Sequence, residues 1–136
     1  MLSKRFLISW LAVFISLMAY GFIVYNFLLG DYFASNKSTD MMRPVEEQLP
    51  EWMAIGSALI AYAFVRIFDH DYKGTGIGEG IRYGLLMGVF WGSVEFIFYA
   101  TMPVPLNLVF VSFVVDVGMF VTSGIVLSTV YRKVSA

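Results

Sequence analysis

Apolar residues in this chain gather into four long stretches, and the polar ones collect between them. The stretches cover about residues 6–29, 52–68, 81–100 and 106–131. The first carries no charge, the second meets only Arg66 near its end, and Arg82 opens the third. Each approaches or exceeds the ~20 residues an α-helix needs to cross about 30 Å of hydrocarbon at ~1.5 Å per residue. The pattern predicts an all-α protein: a transmembrane four-helix bundle, up-down-up-down, forming a single domain over residues 1–136.

Lys4 and Arg5 ahead of the first stretch imitate the start of a signal peptide. The apolar run that follows is about 24 residues. A signal core spans only ~7–15 and ends at an A-x-A-like site, which is missing here, so a retained anchor is expected.

Charge predicts the orientation. With both termini cytoplasmic, Lys4, Arg5, Arg66, Lys73, Arg82, Arg132 and Lys133 share one side, against Lys37 and Arg43 on the other. That bias is the one cytoplasmic loops carry. The outer loop, residues 30–51, is then acidic, with Asp31, Asp40, Glu46, Glu47 and Glu51, while residues 69–80 form a cytoplasmic loop. Trp10 at one interface and Tyr25, Tyr32 and Trp52 at the other read as aromatic anchors. Pro44 followed by Glu46 and Glu47 suggests a short helical turn, and Pro50 suits the first position of the second span. Pro103 and Pro105 end the third span. The halves are not copies of each other, which weakens an inverted-repeat transporter within one chain.

Composition sharpens this picture. The chain is 59% hydrophobic and 14% charged, whereas globular proteins are nearer one quarter charged, so the deviation points to a membrane. A net charge of −1 gives no reason to expect nucleic acid. With no cysteine, thiolate chemistry, disulfides and Cys-ligated zinc are excluded.

Against that apolar background two acids stand out, Glu95 in the third span and Asp116 in the fourth. An ionisable group at such depth costs roughly 2.5–3.5 kcal/mol on insertion scales, so polar company is expected around it. Gly84, Gly88 and Gly92 fall on one face of the third span, a small-residue seam that lets another backbone approach closely. Glu95 and Tyr99 continue that stripe, which turns the acid toward protein. On the fourth span Ser112, Asp116 and Ser123 make a second polar stripe. Ser9, Ser16 and Asn26 offer partners from the first span. Counting from the turn between the last two spans at ~1.5 Å per residue, Glu95 lies about 7 Å deep and Asp116 about 15 Å, so contact between them is not required. Asp116 is expected mainly as the neutral acid, donating to a carbonyl or hydroxyl. Packing glue is the first reading of the pair, a proton- or cation-responsive site the second, and lipid-exposed snorkelling, for Glu95 before Asp116, the third.

Other motifs carry less. Gly74, Gly76, Gly78 and Gly80 alternate ahead of a helix, but neither a P-loop nor a G-x-G-x-x-G pattern is present, so a flexible loop is expected. Asp69, His70 and Asp71 read as solvated interface residues, and no metal site is expected. No catalytic triad, nucleophile elbow or paired-histidine motif occurs, so no catalytic residue is assigned.

The segments LLGDYF (28–33), MRP (42–44), PEWM (50–53), GIGEGIRYGLL (76–86) and YATMPVP (99–105) resemble small bacterial four-span integral membrane proteins of unknown function. The resemblance implies a multi-pass protein of the bacterial inner membrane and provides no site residue. The leading expectation is small-molecule or ion binding or transport through a polar outer-leaflet cavity lined by Glu95, Asp116, Tyr99, Asn26 and Ser112, with no cofactor. The expected partners are the lipid bilayer, a small ligand or cation, and a second copy of the chain. Gly84, Gly88 and Gly92 are expected to serve helix packing, either within the chain or as the contact between copies. A non-catalytic accessory subunit and an intramembrane enzyme on a lipid-like substrate are the alternatives.

Overall fold

Ser3 starts the first helix by accepting the Phe6 N–H on its Oγ at 3.1 Å, filling one of the amide valences that a helix start leaves open. The computed structural model describes residues 3–24, 27 and 45–134. These form α1 (Lys4–Ile23), α2 (Pro50–His70), α3 (Ile77–Gly92), α4 (Val94–Thr101) and α5 (Leu106–Lys133), with a short 3-10 turn at Val45–Glu47 before α2. No strand occurs among the described residues. Among the described residues four helical stretches are long and apolar enough to cross a membrane: α1, α2, α3 continued by α4, and α5. The protein is a helical, multi-pass membrane protein by that measure.

The element boundaries follow the local chemistry. Pro50 occupies the first turn of α2, where its missing N–H costs nothing. Glu46 and Glu47 lie in the short turn anticipated there. Arg132 and Lys133 close α5, where cations meet the negative end of the helix dipole. The second and fourth spans extend beyond the apolar stretches because polar residues continue both helices past the hydrocarbon length.

The third span is broken, which the hydropathy pattern did not anticipate. Ser93 interrupts it, donating its hydroxyl to the Val89 carbonyl at 2.6 Å, while the Phe96 N–H bonds back to Ser93 at 3.2 Å. A hydroxyl can compete for the carbonyl four residues back in this way. Glu95 is therefore carried on a short second segment, α4, after a one-residue interruption of the span.

Small residues set the tightest contact in the bundle. Gly80 lies against Gly124 and Ser128, Gly84 against Phe120 and Val121, Gly88 against Val117, and Gly92 against Phe113. The partner numbers fall as the glycine numbers rise, so α3 and α5 run antiparallel. A Cβ at Gly88 would stand 2.7 Å from the Val117 Cα, closer than real atoms approach. Of the two uses open to the seam, packing within the chain is the one taken: α5 fills it. A short connection holds that complementary backbone alongside, so the glycines meet it before any second molecule.

Larger side chains complete the bundle. Phe6, Val13 and Leu17 from α1, Phe64, Val65 and Phe68 from α2, and Phe120, Leu127 and Tyr131 from α5 form the core. Between α2 and α3 aromatic rings bridge the space, Tyr83 lying 4.6 Å from Phe64 between centroids and donating its hydroxyl to the Phe64 carbonyl. Trp10, read as an interfacial anchor, donates its indole N–H to the Ala58 carbonyl on α2 at 2.9 Å. An indole N–H inside an apolar bundle must find such an acceptor. Trp52 is exposed in the first turn of α2, where an anchor belongs, whereas Tyr25 and Tyr32 lie outside the described residues. Elsewhere the exposed surface of the spans is apolar, Phe90 being 72% exposed, as a face turned to acyl chains must be.

Candidate functional site

Asp116 is the eleventh residue of α5 and only 6% exposed. Glu95, in the first turn of α4, is half-buried. Their carboxyl groups meet within hydrogen-bonding reach. The depth count from the turn allowed them to remain apart, and helix geometry explains why they do not. Gly92 stands against Phe113, so the backbone opposite Glu95 lies nearer the start of α5 than Asp116 does. In a helix each Cα–Cβ bond leans toward the N-terminus. On antiparallel neighbours the two side chains therefore lean toward each other, Glu95 back along α4 and Asp116 back along α5. They close a gap that the Cα positions leave open.

A hydrogen bond between two carboxyl groups requires a proton on one of them, because two carboxylates are acceptors only. The Asp116 Oδ2 is buried and finds no conventional donor among the described residues. A proton held by either carboxyl would supply the donor that a bare carboxylate pair lacks. The group beside Asp116 is a second carboxyl, where a carbonyl or hydroxyl was expected.

Tyr20 of α1 completes the arrangement and was missed by sequence reasoning. Its hydroxyl donates at 3.0 Å to the carbonyl of Val115, the residue that precedes Asp116. Gly118 gives the phenol its space. The available signal was spacing: Tyr20 follows Ser16 by four residues and extends the stripe of Ser9 and Ser16. On that stripe Ser16 meets Ser123 at 3.4 Å between hydroxyls, while the Ser9 Oγ is fully buried without a partner among the described residues.

The remaining expected residues are dispersed. Tyr99 is 44% exposed on the outside of α4 and does not join the pair. Ser112 is half-buried one turn from Asp116. Asn26 lies outside the described residues. A groove of about 310 Å³ lined by Phe110, Val111, Val114 and Val115 is apolar throughout, unlike the polar cavity expected near the acids. Among the described residues no three His, Cys, Asp or Glu side chains are placed to hold a metal ion.

The glycine-rich loop before α3 is ordered by the chain's own carboxylate. Glu79 accepts the Lys73 N–H at 2.7 Å and the Thr75 N–H at 3.1 Å. Gly74 and Gly76 take positive φ values of 73° and 101°, which lets the loop fold back over that carboxylate. These amides, which a phosphate would need, already have an anion.

Neither a protein-family model, nor a curated protein, nor a solved structure matches this chain. The functional reading therefore rests on the geometry of the site.

Proposed function

We propose that the Glu95–Asp116 pair is a cation-binding site that exchanges its shared proton for the ligand, within a small multi-pass protein of a bacterial inner membrane. In this reading the chain crosses the bilayer up-down-up-down with both termini cytoplasmic. The seven-to-two division of basic residues supports that orientation. The observation that carries the function is the meeting of two carboxyl groups inside otherwise apolar spans. An intramembrane acid pair is expensive to bury and is by default a site for protons or ions.

The exchange balances. A singly protonated pair carries one negative charge. Releasing the proton leaves two, and a bound monovalent cation restores one. The charge held at depth is the same before and after, so neither state adds an uncompensated ion to the apolar interior. Glu95 is the half-buried member and supplies the entry side, whereas Asp116 is enclosed.

The test is proton release from detergent-purified protein in weak buffer. Sodium chloride or tetramethylammonium chloride is the added probe, and a pH dye is the readout. Release by the native protein but not by Asp116→Asn is expected. No release with either probe, together with unchanged stability of Asp116→Asn, would remove the proposal.

A second reading has its own observation: the carboxyl groups satisfy each other across α4 and α5, as an interhelical lock would. A non-catalytic accessory subunit needs no more than that. Under this reading Asp116→Asn weakens the fold without any cation-dependent readout, and the native protein co-purifies with a larger membrane partner.

A further inference from the structure

The end of the bundle where α1 begins and α5 finishes is built around a cation. The Arg5 guanidinium lies 4.0 Å from the centre of the Tyr131 ring and 5.6 Å from that of Tyr72. The two rings are themselves packed edge to face at 4.8 Å. Tyr131 is only 1% exposed, so this wall cannot swing aside. Arg5 is thereby held in one orientation, with its Nε buried and unpartnered among the described residues.

An arginine fixed on aromatic faces presents its remaining N–H donors as a rigid fork, matched to the paired oxygens of a phosphate or carboxylate. Lys4, Arg132 and Lys133 are exposed at the same end of the bundle, and the Arg66 guanidinium lies 5.7 Å from the Phe6 ring. Of the acids at that end, Glu79 is engaged by the amides of Lys73 and Thr75, and Asp69 and Asp71 close α2; the basic residues there outnumber them. The ends of spanning helices sit at headgroup level, where clustered Lys and Arg meet anionic lipid.

The geometry points to a binding site for the phosphate of an anionic phospholipid headgroup, gripped by Arg5 and surrounded by the charges of Lys4, Arg132 and Lys133. Charge complementarity selects the ligand, and the location at the end of the spans selects a lipid over a soluble anion. The site is separate from the carboxyl pair and does not depend on its role.

Native mass spectrometry of the full chain in a neutral detergent tests this, with dioleoylphosphatidylglycerol, dioleoylphosphatidylcholine and inorganic phosphate as the added probes. Retention of phosphatidylglycerol, and of neither other probe, is expected. Arg5→Gln should lower that retention by about fivefold or more, the worth of one cation beside an anionic surface. Should Arg5→Gln fail to fold, Arg5→Lys keeps the charge against the rings but loses the planar fork, and its phosphatidylglycerol retention should fall as well. Equal retention of both lipids would overturn the site. So would unchanged retention by Arg5→Lys, and retention of inorganic phosphate as strong as that of the lipid would make the ligand a soluble anion instead.

Discussion

A Cβ on Gly118 would stand 2.6 Å from the Tyr20 hydroxyl, so the glycine of α5 is the space that the phenol of α1 fills. The contact places Tyr20 beside Asp116 and fixes the approach of α1 to α5 at the depth of the carboxyl pair.

Gly118→Ala is therefore expected to destabilise the protein by about 1–3 kcal/mol, the usual cost of overpacking. Tyr20→Phe alone loses the bond to the Val115 carbonyl, worth about 0.5–1.5 kcal/mol. In the double variant the offending oxygen is gone and the nearest ring atom lies at 3.6 Å, an ordinary contact. Thermal unfolding in detergent should show the double variant less damaged than the sum of the singles. Strict additivity would deny the contact.

The glycines of α3 differ from those elsewhere. Gly84→Ala drives a methyl into the backbone of Phe120 and Val121 and should separate α3 from α5. Gly56 and Gly21 face open space. Alanine there should leave stability unchanged or raise it by up to about 1 kcal/mol through helix propensity. Parallel melting curves of Gly84→Ala and Gly56→Ala decide the matter, and similar losses in both would contradict the seam.

Glu79→Gln replaces one carboxylate oxygen with an amide that faces N–H donors. The amides of Lys73 and Thr75 should then exchange hydrogen faster, while those in the interior of α3 keep their protection. Hydrogen exchange resolved at residues 73–75 reads this directly; unchanged rates would mean the loop holds itself.

Glu95 and Asp116 supply a test with pH. Stripping the shared proton leaves two anions facing each other in an apolar bundle, so the native protein should lose stability under alkaline titration. Asp116→Asn retains a hydrogen-bonding partner for Glu95 but has no proton to lose from that position, and its stability should vary less over the same range. Unfolding midpoints across a pH series make the comparison. Parallel profiles would separate the pair from any proton role.

Ser9 offers a contrast, since its hydroxyl is buried without a partner among the described residues. Ser9→Ala removes an unsatisfied group and should be neutral or mildly stabilising. A loss above about 1 kcal/mol in thermal unfolding would reveal a partner for that hydroxyl.

The sequence by itself determined the membrane character, the number of spans and the short turn before α2. Each follows from solvent: apolar runs of sufficient length partition into hydrocarbon, and prolines and acids mark helix starts whatever surrounds them. It also singled out Glu95 and Asp116, because a carboxyl among apolar residues stands out without reference to neighbours. Only the tertiary structure decided that the acids face each other, that the glycine seam is used within the chain, and that Trp10 bonds to α2. Those outcomes depend on the register of α3 against α5 and on the break at Ser93. The register arises from contacts between residues far apart in the chain, which spacing along one helix cannot express, whereas the break is a local effect of the Ser93 hydroxyl that the hydropathy pattern does not carry. Tyr20 entered the site for the same reason, its role being set by a glycine on another helix.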